Sequence, residues 1–427
     1  MPLFCTQFLG ALNDNIYKNA LVIFIAFTLA DRTSINASIL VIIAGGLFIL
    51  PYFLFSATAG QLADKHEKSY LIRRIKLVEI MIMGLGVIGF VSQDVTILMA
   101  VLFCMGTQST FFGPLKYGIL PQHLSVHELT GGNGMIQMGT YLAILGGTII
   151  GGVVVAIEGY GTLLVSVLVL LVAVAGWFAS RSIPVAQSAD STLSVDWNIA
   201  RQTYRILCYA ISDKSIFVAI IAISWFWFLG ASYLSLVPTY TRDVLMGDEL
   251  VATLLLTAFS VGIGAGSLLC ERLSRFDIEP GLVPIGAMGL SLFAIDLFVT
   301  GTPAVSQTGT SMGPGMFLGF LVHWRILFDL VGIGFFGGIY IVPLYAMVQH
   351  RSSPDYRARV IAATNIMNAL FMVTSAVLVI LLIQMSFTIP QIYLLMGLLN
   401  LLITGAIFMV FPEYLQRLSQ LLKSGNK

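Results

Sequence analysis

Twelve apolar runs, each about as long as a helix that crosses a bilayer, leave this chain little freedom of fold class. A hydrocarbon layer about 30 Å thick needs about 20 residues at 1.5 Å per residue. Inside it every backbone N–H and C=O must be paired within its own segment, so the runs are expected to be helices. They fall near 3–30, 36–62, 73–92, 96–116, 133–156 and 161–180, then 214–239, 250–270, 281–300, 320–348, 359–385 and 389–411, and are called spans 1 to 12. The expected fold is an all-α membrane protein, with twelve transmembrane helices in two pseudo-symmetric six-helix bundles. Composition agrees: 57% of the 427 residues are hydrophobic and 10% are charged, against about 25% charged in soluble domains.

The same composition excludes several function classes. A net charge of +1 gives no electrostatic case for nucleic acid. Cys5, Cys104, Cys208 and Cys270 are scattered without metal-ligand spacing and read as small apolar fillers. The five histidines form no HExxH, and no GxxxxGK[ST] loop is present to hold ATP. No enzyme, cofactor or metal is expected. Nor is a cleaved signal peptide, because no Lys or Arg precedes the first run and Asp14 and Lys18 interrupt it.

Basic residues set the expected orientation. Lys65, Lys68, Arg73, Arg74 and Lys76 follow span 2, and Arg181, Arg201, Arg205 and Lys214 flank the middle of the chain. Arg272 and Arg275, then Arg351, Arg357 and Arg359, then Arg417, Lys423 and Lys427 continue on the same side, against Arg32 and Arg242 opposite. Both termini are therefore expected in the cytoplasm. The polar stretch 182–213 reads as a cytoplasmic linker between a bundle at 1–181 and another at 214–412, with 413–427 as a tail. Within the linker, Trp197–Tyr209 has the pattern of a short amphipathic helix on the membrane face.

The halves repeat each other weakly. Span 2 ends in Gly60-Gln61-Leu62-Ala63-Asp64-Lys65 with Lys68 beyond, and span 8 ends in Glu271-Arg272 with Arg275 beyond. Phe111-Phe112-Gly113 in span 4 matches Phe335-Phe336-Gly337 in span 10, and Asn133 and Met135 match Asn365 and Met367. Three matches in one order argue for a duplicated six-helix unit, an arrangement that places a transport pathway near mid-membrane.

These residues resemble the major facilitator superfamily across essentially the whole chain, Gly60 to Lys65 being similar to its loop 2–3 motif. Three further segments resemble its lysophospholipid transporter branch: Gln7-Phe8-Leu9-Gly10-Ala11-Leu12-Asn13-Asp14-Asn15, Pro114-Leu115-Lys116-Tyr117-Gly118-Ile119-Leu120-Pro121 and Val342-Pro343-Leu344-Tyr345-Ala346-Met347-Val348-Gln349. Arg357-Ala358-Arg359-Val360-Ile361-Ala362-Ala363-Thr364-Asn365 follows. They are most similar to the membrane domain that some bacteria fuse to an acyltransferase and an acyl-carrier-protein synthetase. The resemblance implies a major facilitator fold and a bacterial inner-membrane flippase for lysophosphatidylethanolamine and lysophosphatidylglycerol. Any acyltransferase or synthetase would be a separate partner, since the 427 residues contain neither. Span 7 departs from the branch in carrying no basic residue before Arg242.

Charges at membrane depth are the candidate site residues, because an unpaired one is costly there. Asp14 lies about eleven residues into span 1, and Lys18 is one turn on, placed to pair with it. With Asn13 and Asn15 they would bind a polar headgroup or gate the pathway; the plainer reading is an ion pair that locks the helix. Lys116, after Pro114, reads as a cation for a lipid phosphate or as a lysine snorkelling to the headgroups. Lys76 and Glu79 read as a structural pair, and Asn365 and Asn368 as helix-bridging amides.

Asp296, Arg325 and Asp329 form a candidate outer gate, or else an interfacial arginine with local partners. Asp64, Lys65 and Lys68, mirrored by Glu271, Arg272 and Arg275, form a candidate latch between access states, or a solvated charge run. Gly146-Gly147 and Gly151-Gly152 in span 5 suit close helix packing. No Gly-Pro occurs between Asn133 and Ile157, which disfavours drug export. Trp225, Phe226, Trp227 and Phe228 offer apolar wall for an acyl chain. The alternatives are a carrier of another amphiphile, such as a siderophore or drug, and a module that only hands lipid to an acyltransferase.

Overall fold

The computed structural model describes residues 1–27, 37–300 and 312–424; Arg32 and Lys427, counted above for orientation, lie outside them. Among the described residues sixteen α-helices follow in order: α1 (Pro2–Phe27), α2 (Ala37–Lys65), α3 (Lys68–Ser92), α4 (Val95–Gly118), α5 (Leu120–His123), α6 (Val126–Val155), α7 (Gly161–Arg181) and α8 (Ile199–Ser212). The chain continues with α9 (Lys214–Asp243), α10 (Glu249–Leu273), α11 (Leu282–Thr300), α12 (Pro314–Phe317), α13 (Leu321–Arg351), α14 (Arg357–Gln384), α15 (Ile389–Val410) and α16 (Glu413–Ser424). Eleven described helices are long and apolar enough to cross a membrane. The twelfth of spanning length is α1, diluted by its own polar cluster. The protein is a multi-pass, nearly all-helical membrane protein.

Capping residues set the boundaries between spans. The Glu67 carboxylate accepts from the Ser69 and Tyr70 amides at the start of α3, and Asp94 does the same for α4 with Thr96 and Ile97. Asp213 caps α9, and Thr388 with Gln391 forms a capping box on α15. Each satisfies orphan N–H groups that hydrocarbon would otherwise make costly. The linker forms α8 close to where its amphipathic pattern lies. The tail is also helical, as α16.

Two compact units emerge. The first comprises Met1–His123, Leu142–Ser212 and Ser352–Ala369; the second comprises Leu124–Tyr141, Asp213–Arg351 and Leu370–Lys427. In the first, α1 packs on α7 and α4 packs on α2 and α3. Tyr17, Phe24 and Phe90 meet edge to face, and the Tyr17 hydroxyl donates to the Leu98 carbonyl at 2.9 Å. Gly147 and Gly151 let α6 close on α1: a Cβ at Gly151 would stand 2.4 Å from the Ile16 carbonyl oxygen. Between helices in lipid, such backbone approach supplies the packing that water-driven burial cannot.

In the second unit α13 packs against α9, α10 and α11, and α15 against α9 and α11. Asn400 is its polar hub. Its amide donates to the Ala287 carbonyl at 2.9 Å and the Ser291 hydroxyl at 2.8 Å, and its oxygen accepts from the Trp225 indole at 2.9 Å. Trp225 stacks on Phe228 at 4.7 Å, so this part of the aromatic run packs inside the unit.

Candidate functional site

The polar residues of α1 separate onto three faces, because successive residues of a helix are about 100° apart. Asn13 is fully buried and donates to Glu79 Oε1 at 3.1 Å. Asn15 is buried too, donating to the Ala11 carbonyl at 2.8 Å. Asp14 is half-buried, and its Oδ2 accepts from the Ser109 hydroxyl of α4 at 2.5 Å. The expected Asp14–Lys18 pair does not form. Lys18 is turned to α2, its Nζ 5.7 Å from the Phe48 ring centroid. Spacing made the two neighbours, but Asp14 is occupied by α4 and Lys18 faces an aromatic ring.

Lys18 and Lys116 are both within electrostatic reach of Asp14, and neither forms an ion pair among the described residues. Lys116 lies 4.8 Å from the Tyr117 ring centroid. Tyr52, beside Phe48 at 6.4 Å, borders the Asp14–Ser109 pair. The carboxylate of Asp14, the Ser109 hydroxyl, two ammonium groups without carboxylate partners and the rings of Phe48, Tyr52 and Tyr117 are thus carried by α1, α2 and α4. A site of that make-up can hold a group bearing both charges.

Behind it sits the arrangement that sequence reasoning undervalued. Lys76 donates to Glu79 Oε2 at 2.6 Å with both side chains nearly fully buried, 1% and 3% exposed. Gln108 donates to the same oxygen at 2.9 Å, and Lys76 lies 5.2 Å from the Phe112 ring centroid. A buried charge is tolerable only when paired and hydrogen-bonded. The i,i+3 spacing revealed the pair; the Asn13 and Gln108 donors, distant in sequence, did not show.

The second cluster lies at the end of α2. Asp64 is fully buried; Oδ1 accepts from the Ala358 amide at 3.1 Å, and Oδ2 accepts from the Arg359 amide at 3.3 Å and its Nε at 2.9 Å. Asp64 therefore caps the first turn of α14. Lys65 and Lys68, grouped with it as a candidate latch, do not pair with it: Lys68 donates to the Gln187 carbonyl at 3.5 Å, and Lys65 is partly exposed. Arg359 counts in the sequence towards orientation and within the segment 357–365, not as a partner of Asp64. Gly60 permits the approach, since a Cβ there would lie 2.9 Å from the Arg359 Cα.

The mirrored residues behave differently. Glu271 lies against Gly131 in the early part of α6, while Arg272 and Arg275 are exposed, with no acid partner among the described residues. The bonds in this second unit come from neighbours. Asn133 and Gln349 exchange amide hydrogen bonds at 2.8 and 2.9 Å, and Thr130 donates to the Asp277 carbonyl at 2.8 Å. The early part of α6 thus meets the ends of α10 and α13, as the start of α14 meets the end of α2.

The third cluster joins two of its three residues directly. Arg325 donates through two nitrogens to Asp296, Nε to Oδ2 at 3.0 Å. Asp329 lies deeper, fully buried, with the Thr300 hydroxyl 3.5 Å from its Oδ2. Asn365 stands against Gly113, where a Cβ would lie 2.6 Å from its Nδ2.

Residues 3–376 match the model of the Major Facilitator Superfamily. The chain belongs to that superfamily. It is a transporter by family rather than an enzyme. Among similar proteins, the lysophospholipid transporter LplT of Serratia proteamaculans (strain 568) is 24% identical over 371 residues, covering 85% of this chain and 83% of that protein. LplT of Yersinia pestis (strain Pestoides F) is 25% identical over 368 residues, covering 85% and 81%. The fold is shared with a bacterial homologue of the iron transporter ferroportin in an outward-facing state, with a TM-score of 0.65, 14% identity and coverage of 98% and 99%. It is shared as well with the E. coli fucose:proton symporter FucP, with a TM-score of 0.68, 13% identity and coverage of 97% of each chain.

Proposed function

We propose that this superfamily member carries lysophospholipids, lysophosphatidylethanolamine and lysophosphatidylglycerol among them, across the bacterial inner membrane by alternating access. The observation that carries the reading is Asp14, bonded to Ser109, with Lys18 one turn on and Lys116 within electrostatic reach. A carboxylate suits an ethanolamine ammonium, and lysines serve a phosphate as point charges. A headgroup with both charges lets the site hold its ions in pairs at a depth where isolated ones are costly. The relatives named as lysophospholipid transporters support the same cargo.

Asp64 with Arg359 acts as a latch, made in one access state and released in the other. Arg325 with Asp296 gates the opposite side, and the sequence halves 1–181 and 214–412 are the bundles that rock. Both termini and the linker 182–213 lie in the cytoplasm, and reacylation falls to a separate acyltransferase or synthetase. The test is uptake of fluorescent lysophosphatidylethanolamine into proteoliposomes holding only this protein, with and without sodium or proton gradients. Uptake competed by unlabelled lysolipid supports the reading. Its absence favours a module that only hands lipid on, and uptake blocked instead by another amphiphile replaces the cargo.

A further inference from the structure

Helix α8 is held at the level where membrane spans end. Its last residue, Ser212, is two positions from Lys214, where a span begins. Just before its first turn, Asp196 is tied to Gln61 near the end of another span: the Asp196 amide donates to Gln61 Oε1 at 2.9 Å, and Gln61 Nε2 donates to the Asp196 carbonyl at 3.1 Å. One stripe of the helix, Gln202, Ile206 and Ala210, is buried, and α8 packs on α2.

The other side is unusual for a polar linker. Trp197 is 70% exposed, Tyr204 71% and Ile211 55%, with exposed Cys208 on the same stripe. Arg201 and Arg205 border it, more than half exposed, although both reach Asp196 at 3.6 and 3.5 Å. Two arginines against one aspartate leave the face cationic. Aromatic and aliphatic side chains between arginines, beside the ends of spans, fit the headgroup layer of an anionic bilayer.

Contacts lead inward from this helix. Tyr209 stacks on Tyr356 with ring centroids 3.9 Å apart and planes at 27°. The Arg359 guanidinium lies 3.5 Å from the centroid of that same Tyr356 ring and pairs with Asp64 at 2.9 Å. We propose that the Arg201–Tyr204–Arg205–Ile211 face of α8, with Trp197 just before its start, docks on an anionic phospholipid surface and that this docking, through Tyr209 and Tyr356, holds Arg359 on Asp64. The second half of the proposal rests on the latch reading above, and neither half depends on the cargo.

The test uses the full chain with Cys208 as its single cysteine, the other three replaced by serine. A polarity-sensitive fluorophore on Cys208 reports docking in vesicles of phosphatidylethanolamine with or without phosphatidylglycerol. Iodide quenching should fall when phosphatidylglycerol is added. The fall should vanish in R201Q/R205Q, whose side chains are more than half exposed, and return in R201K/R205K. Hydrogen exchange of the Ala358 and Arg359 amides should slow in the anionic vesicles. In Tyr209→Ala that slowing should disappear while Cys208 stays shielded. Equal quenching in both lipids overturns the docking. Shielding of Cys208 with unchanged exchange at Ala358 and Arg359 overturns the coupling. Neither readout requires transport, so a failed cargo assignment would register separately.

Discussion

Asp64 Oδ2 accepts a hydrogen bond from Arg359 Nε across 295 positions of sequence. The same carboxylate takes the Ala358 and Arg359 amides, so one buried acid holds both a guanidinium and a helix start. Removing it exposes three donors at once. Breaking a buried pair from one side costs about 3–5 kcal/mol, whereas replacing both partners with apolar groups costs far less. Asp64→Ala should therefore loosen the start of α14 and shift the inward/outward balance, read as changed thiol labelling on the two membrane faces. Asp64→Leu with Arg359→Met should recover part of that stability, the Ala358 and Arg359 amides staying unpaired, without recovering transport. Unchanged labelling of both faces in Asp64→Ala would count against the latch.

Lys76 and Glu79 make a sharper stability test, since both are buried and Glu79 also takes Asn13 and Gln108. Lys76→Met leaves a carboxylate uncompensated and should lower the melting temperature and the folded yield. Lys76→Met with Glu79→Gln should regain much of the loss, because the neutral amide still offers an oxygen to Asn13 or Gln108. A single Lys76→Met protein that melts like the parent would show that the pair is dispensable.

Helix packing offers a position-specific contrast. Gly151→Ala would push a methyl group to 2.4 Å from the Ile16 carbonyl oxygen, whereas Gly152→Ala meets only the flexible tip of Ile23 at 3.2 Å. The first should cost folded yield in detergent and the second should be nearly silent, as size-exclusion profiles of the two variants would reveal. Equal behaviour would remove the close α1–α6 approach.

Glu67 gives a pH dependence outside the membrane. Partial burial alone would raise its pKa above the ordinary 4.5, but hydrogen bonds from the Ala186 amide, the Ser69 hydroxyl and amide and the Tyr70 amide outweigh it and hold the carboxyl lower. A depressed carboxylate adds stability that is complete above its unfolded pKa and is lost as pH falls through the folded value. Attachment of the linker at Ala186 should thus be constant near neutrality and weaken in acid, below about pH 4.5. Limited proteolysis of residues 182–198 across pH measures this, and Glu67→Gln should abolish the dependence.

Much of this was legible in the sequence because it is local. Apolar length placed the spans, and acids such as Asp94 and Asp213 sit one residue before the helices they cap. What depends on the direction a side chain faces was not legible. Asp14 and Lys18 are one turn apart, yet one turns to Ser109 and the other to Phe48. The repeat of acidic and basic residues after spans 2 and 8 correctly marked two helix ends. It did not show the partner of Asp64, because Arg359 comes from a distant helix, bringing its guanidinium together with the Ala358 and Arg359 amides. Asn133 and Gln349 were both in view as separate motif residues; only the fold pairs them.

The most direct test of the account is the initial rate of fluorescent lysophosphatidylethanolamine uptake into proteoliposomes, comparing the parent with Asp14→Asn at equal reconstituted amounts. The substitution keeps shape and a hydrogen-bond acceptor for Ser109 while removing the charge. The account predicts uptake by the parent and background flux in the variant, with expression unchanged. Uptake by Asp14→Asn at the parental rate would contradict it.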